Sequence, residues 1–283
     1  MERRTLGHTG VELSTVGMGG IVVTDTTPEE AQNIVAEAVD RGVNYFDVAP
    51  SYGNAQERLG PALESRRNEV FLACKTGRRD AAGAQDELEN SLRMLRTDHF
   101  DLYQLHALSS VQEVETVFGA GGAMEVFTRA KQAGTVRFLG FSAHSEEAAL
   151  HALELFPFDS VLFPINFVLY DRGEFGPRIM EAAERSGAGR LALKAMARGP
   201  WPEGVERSYP KCWYQPLSNP DLARLALRFT LSLPVTAAIP PGHLELFRLA
   251  MDIADGFTPL ADAEHEILRN EARELGLIFK KAA

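Results

Sequence analysis

At 283 residues the chain exceeds the commonest single-domain size yet stays inside the range that one α/β barrel occupies, so its length does not require a second domain. Hydrophobic residues make up 45% and charged residues 24%, which excludes disordered, collagen-like and coiled-coil classes. The formal charge of -10 comes from acidic residues scattered along the chain with no basic stripe, which argues against a nucleic-acid partner.

In chain order, the first element reads as a small hairpin, RTL and VEL around a turn at His8-Thr9-Gly10. After it, short apolar runs alternate with helical patterns to the end. Strands are predicted at 15–18, 44–47, 70–75, 100–106, 137–142, 160–165, 190–194 and 236–239. Helix starts fall between them at Thr27-Pro28-Glu29-Glu30, Ser145-Glu146-Glu147 and Asn219-Pro220-Asp221, each supplying a cap, an N1 proline or first-turn acids. Eight β/α units imply parallel strands closed into a (β/α)8 TIM barrel carrying a short N-terminal β-hairpin, with residues 1–283 as one domain. An open doubly wound sheet would have fewer strands and a GxGxxG turn, whereas here the first strand is followed by Gly17-Met18-Gly19-Gly20. Two connections are long, 107–123 with a glycine cluster and 198–218 with four prolines and both tryptophans. In a barrel such excursions surround the active-site mouth.

The stretch NYFDVAPSYG ends an apolar strand on Asp47 and places Tyr52 in the following turn. The next strand ends on Lys75 and the one after it on His106. Strand C-terminal ends form the active face of a barrel, so these four side chains can share one pocket. A lysine there needs a carboxylate partner to be buried, and Asp47 on the neighbouring strand is the natural one. Taken singly, each has a bland reading: a turn-capping acid, a rim tyrosine, a satisfied polar histidine.

With these residues in place, the sequence resembles the aldo-keto reductase family along nearly its whole length, through NYFDVAPSYG, VFLACKTG, DLYQLH, GTVRFLGFSAH and AAIPPG. The resemblance implies that Asp47, Tyr52, Lys75 and His106 form the family's catalytic tetrad. It also implies an NAD(P)H-dependent oxidoreductase, NADP(H) before NAD(H), that reduces a small aldehyde or ketone with Tyr52 as proton donor. For the cofactor it implies Ser142 and Asn166 at the nicotinamide carboxamide, and Pro240 and Gly242 in the turn toward the pyrophosphate, where the backbone of 242–244 opens a helix. Two positions depart from the family pattern. Ala143 replaces an asparagine, and the end of the seventh strand, LALKAM, lacks a stacking tyrosine, leaving Leu193 or Met196 to offer an apolar face and Lys194 to serve a phosphate. Arg248 is the nearest cation for a 2′-phosphate.

These departures motivate a second reading, a non-catalytic or weakly catalytic cofactor-binding barrel. A third, a lyase using Lys75 as a Schiff base, needs a lowered lysine pKa that Asp47 opposes. Trp201, Trp213 and Tyr214 stand as candidates for an apolar mouth. Cys74 and Cys212 lack CxxC spacing and the histidines lack metal spacing, so neither a disulfide framework nor a metal is expected. The N-terminus has no apolar h-region and no apolar run reaches eighteen residues, so a cytoplasmic location without membrane contact is expected. The sequence leaves the oligomeric state open.

Overall fold

The computed structural model describes residues 1–172 and 175–279. The chain opens with a hairpin, β1 (Arg3–Thr5) and β2 (Glu12–Ser14), paired antiparallel with Arg4 opposite Leu13. Eight parallel strands follow as one sheet. They are β3 (Met18–Gly19), β4 (Tyr45–Asp47), β5 (Phe71–Thr76), β6 (Phe100–Leu108), β7 (Val136–Ala143), β8 (Ser160–Pro164), β9 (Gly189–Leu193) and, after a hairpin of β10 (Ala197–Pro200) and β11 (Tyr214–Pro216), β12 (Ala237–Ile239).

Eight helices alternate with these strands: α1 (Pro28–Asp40), α2 (Ala55–Leu63), α3 (Ala81–Met94), then, after a short α4 (Val111–Phe118), α5 (Met124–Gln132). They continue with α6 (Glu146–Leu155), then, after a short α7 (Phe167–Arg172), α8 (Pro177–Ser186), α9 (Pro220–Ser232) and α10 (Leu244–Asp255), and α11 (Asp262–Glu274) packs on α7 and α9. The start signals act as expected. Thr27 and Glu30 form a capping box with Pro28 at the first turn, Ser145 accepts from the Ala148 N–H, and Asn219 accepts from the Asp221 and Leu222 N–H groups.

Closure runs through the first predicted strand, 15–18, whose residues divide between two neighbours. Met18 and Gly19 pair with β4, whereas residues 15–17 pair with the last strand: Val16 bridges Ala238, Gly17 N–H donates to the Ala238 carbonyl at 3.0 Å, and Ala238 N–H donates to the Thr15 carbonyl at 2.9 Å. A short segment shared between two neighbours shows only half its pairing on each side, so its apparent strand limits shift.

Strand alternation divides the core in two. Tyr45, Phe71, Leu102, Leu162, Leu191, Ala237 and Ile239 point into the barrel. Their neighbours Phe46, Leu72, Tyr103, Val161, Ala192 and Ala238 pack outward against helices. The hairpin seals the N-terminal end, with Leu6 and Leu13 fully buried in the interior cluster. Gly189 makes room for this plug, because a Cβ there would sit 2.2 Å from Leu6 Cδ1. With the bottom filled, the C-terminal ends of the strands form the accessible face.

The two long connections contain structure that their composition hides. Residues 107–123 hold α4, capped by Ser110 through the Glu113 N–H. Residues 198–218 hold most of the β10–β11 hairpin, too short and too interrupted by proline to display alternation. Among the described residues no helix is long and apolar enough to cross a membrane.

Candidate active site

Inward parity builds the site. Asp47 stands two residues above Tyr45, Lys75 two above Ala73, and His106 two above Gln104, so each lies one layer nearer the open end than an inward core residue. Asp47 and Lys75 are each 1% exposed and their side chains form a direct ion pair. The other Asp47 oxygen accepts from Gln104 Nε2 at 3.0 Å and from Tyr45 Oη at 3.2 Å. A buried carboxylate taking three donors is fully compensated, which fixes its orientation. Lys75 Nζ lies 5.5 Å from the Tyr52 ring centroid, and the Tyr52 and His106 rings meet edge to face at 5.7 Å. The four residues predicted to converge therefore do so.

Electrostatics sets their protonation. Burial works against the charge on Lys75, but the Asp47 carboxylate outweighs it and the ammonium pKa is raised. A lysine held charged cannot act as an amine nucleophile at neutral pH, which removes the Schiff-base reading. Burial raises the Tyr52 phenol; Lys75 pulls it back, and Asp47 adds to the rise. Burial is the largest of these effects, so the phenol stays above its ordinary value despite the lysine beside it. His106 is pushed down to about 3, by burial first and then by the Lys75 charge, so its ring is neutral at pH 7. Ser51 Oγ lies 3.5 Å from His106 Nδ1. The residue after the histidine, Ala107, has φ +54°, a left-handed conformation at the break in β6 pairing between Leu105 and Leu108.

A cleft opens beside the tetrad. Asp47, Tyr52, Leu193, Lys194, Trp213, Tyr214, Pro240 and Gly242 are among the residues that line it. The loop before β11 crosses this cleft: Lys211 Nζ donates to the Thr24 carbonyl at 2.5 Å, and its backbone N–H donates to His243 Nε2 at 3.2 Å.

The remaining anticipated residues are placed as follows. Ser142 Oγ accepts from the Ala107 N–H at 2.7 Å, bracing the strained residue beside His106. Asn166, 1% exposed, accepts from the Leu169 N–H at 2.9 Å through Oδ1, and among the described residues its NH₂ has no hydrogen-bond partner. Gly242 packs so closely on Ile21 that a Cβ would approach its Cγ2 to 2.3 Å. Next to it, α10 begins at His243 with no side-chain cap, so its first-turn N–H groups remain for an anion. Arg248 is bound to Glu37 through three contacts of 2.7–3.1 Å. Met196 is fully buried in the outer core, so it offers no face to a ligand, while Leu193 lies on the cleft. Gln104 was not singled out from the sequence, although strand parity from His106 points to it. Among the described residues no group of three or more His, Cys, Asp or Glu residues is arranged to hold a metal.

A sequence profile described as the aldo/keto reductase family matches residues 15–245. The chain belongs to the aldo/keto reductase family. Among its relatives is an uncharacterized oxidoreductase, YqkF of Bacillus subtilis, 25% identical over 97% of each chain. The aldo-keto reductase YhdN of the same organism is 28% identical over 70% of this chain and 63% of its own. In three dimensions the chain superposes on the holo form of an aldo-keto reductase from Bacillus halodurans with a TM-score of 0.76, 24% identity and 96% coverage of both chains. That likeness supports the barrel fold.

Proposed function

We propose that this aldo/keto reductase reduces the carbonyl of a small aldehyde or ketone, with Tyr52 as the proton donor. The observation that carries the reading is the Asp47–Lys75–Tyr52–His106 cluster at the open end of the barrel. A bound reduced nicotinamide supplies the hydride. Everything else is assigned to the chain's own side chains.

Tyr52 stays protonated at neutral pH because burial raises its pKa, so it holds the proton that the carbonyl oxygen needs. Lys75, charged and fixed by Asp47, favours the phenolate left behind and limits the cost of the transfer. His106, neutral, donates Nε2–H toward the same oxygen while Nδ1 faces Ser51. Tyr52 and His106 together stabilise the charge developing on the carbonyl oxygen, and each such donor is worth on the order of 10²–10³ in rate.

The residues suit a nicotinamide dinucleotide. The unpartnered Asn166 NH₂ matches a carboxamide oxygen, and the uncapped α10 N-terminus beside Gly242 matches a pyrophosphate. NADP(H) is proposed before NAD(H). Arg248 would meet the 2′-phosphate by releasing Glu37, an exposed pair whose loss costs only about 0–1 kcal/mol. The proposal extends to a cytoplasmic enzyme whose residues 1–283 form a single domain.

Fluorescence titration with NADPH and with NADH tests the reading, followed by a carbonyl panel read as loss of nicotinamide absorbance. Micromolar binding together with turnover of aldehydes is expected. Binding without turnover on any carbonyl would favour the non-catalytic barrel instead.

A further inference from the structure

The cleft contains a cation, offered by the sequence to a cofactor phosphate, that neither the carbonyl step nor the phosphate contacts proposed above use. Lys194 follows β9 at φ +66°, a left-handed conformation unfavourable for a residue with a side chain. Its ammonium lies 5.2 Å from the ring centroids of both Trp213 and Tyr214. Among the described residues it has no carboxylate within ion-pair distance and no side-chain hydrogen bond. The other charged groups lining the cleft are already matched: Asp47 by Lys75, Gln104 and Tyr45, and Lys211 by the carbonyls of Val22 and Thr24. Lys194 is thus the unmatched charge of a cleft whose acid is satisfied.

A lysine that is both conformationally strained and drawn out of water, with only two aromatic faces in return, is poorly accounted for by folding alone. The cost of the buried charge is answered when an anion enters the cleft. Resting on the carbonyl-reduction reading, we propose that Lys194 selects substrates bearing a carboxylate apart from the reactive carbonyl, so that oxo acids and aldehyde acids are the substrate class. Tyr52, on the same cleft, takes the carbonyl oxygen while Lys194 holds the carboxylate. Trp213 and Tyr214 line the same cleft, where their faces suit an apolar or aromatic spacer. The same placement makes Trp213, 49% exposed, a reporter of occupancy.

Burial pushes the Lys194 ammonium down to about 8, so the site carries its charge at pH 7 and loses it in mild alkali. The carboxylate it would bind titrates far below this range.

Two readouts test the assignment. The first compares kcat/KM for aldehyde acids of different length, 4-formylbenzoate among them, with their methyl esters, in wild type and in Lys194→Met. A preference for at least one acid of tenfold or more is expected, falling by tenfold or more in Lys194→Met. Any effect of the substitution common to both substrates cancels in this ratio. Equal use of every acid and its ester, or a preference that survives Lys194→Met, overturns the assignment. The second, made without added cofactor, is quenching of tryptophan fluorescence by the product alcohol 4-(hydroxymethyl)benzoate, with its methyl ester as control. Quenching by the acid that weakens tenfold or more in Lys194→Met supports the anion site even where no carbonyl is reduced, in which case only the reductase reading fails. Equal quenching of wild type and variant counts against it.

Discussion

Asp47 is the residue on which the site's electrostatics turns. Its carboxylate takes Lys75, Gln104 and Tyr45 as donors in a nearly water-free layer. Removing one member of such a buried pair leaves an uncompensated charge and costs about 3–5 kcal/mol. Asp47→Ala is therefore expected to lower the urea midpoint by an equivalent amount as well as to suppress turnover; a variant as stable as the parent would show that Lys75 finds another partner. The histidines act in the opposite sense. His106 is depressed to about 3 and His144 to about 4, in both cases chiefly by burial. The unfolded chain takes up protons as pH falls through about 6.5 while these folded-state rings do not. Stability is accordingly complete above pH 6.5 and declines as pH drops toward the folded values. Urea midpoints at pH 7 and pH 5 are expected to differ, with the gap narrowed in His144→Phe; identical gaps would contradict the assignment of burial to His144.

At the scale of elements, the hairpin and the strand ends divide stability from function. Leu6 plugs the barrel through the space that Gly189 leaves, and Leu6→Ala is expected to cost about 2–5 kcal/mol through the cavity it opens. Because the plug lies at the end of the barrel away from Tyr52, cofactor affinity should change little at temperatures where the variant is folded; calorimetry and a cofactor titration check both parts. On the helical layer, the Arg248–Glu37 pair links α10 to α1. Glu37→Gln is expected to strengthen NADPH binding relative to NADH by several-fold, and an unchanged ratio would remove Arg248 from the 2′-phosphate contact. The barrel strands were legible because each is a short apolar run, and the helices because Thr27, Ser145 and Asn219 are strong caps. The hairpin of β10 and β11 was not, since strands of three and four residues among prolines carry no readable period. The first predicted strand, 15–18, closes the barrel by dividing its hydrogen bonds between two neighbours.

On the scale of the whole molecule, period-two alternation does two jobs at once. It fills the barrel with Tyr45, Phe71, Leu102, Leu162 and Leu191, and it stacks Asp47, Lys75, Gln104 and His106 above that filling. The tetrad could be read from the sequence because its members sit at strand ends in a recognisable order. Gln104 and the unpaired state of Lys194 could not, because their significance depends on which neighbours the closed barrel brings to them. Ser142 and Asn166 carry structural hydrogen bonds to Ala107 and Leu169 that spacing does not disclose. The central claim is that this arrangement makes Tyr52 the acid in carbonyl reduction. The most direct test is steady-state reduction of an aldehyde by wild type and by Tyr52→Phe, with the cofactor dissociation constant measured on the same preparations. A loss in kcat of about 10²–10⁴-fold, at a dissociation constant within about twofold of wild type, is the predicted result. A Tyr52→Phe enzyme that kept most of its kcat would contradict the account.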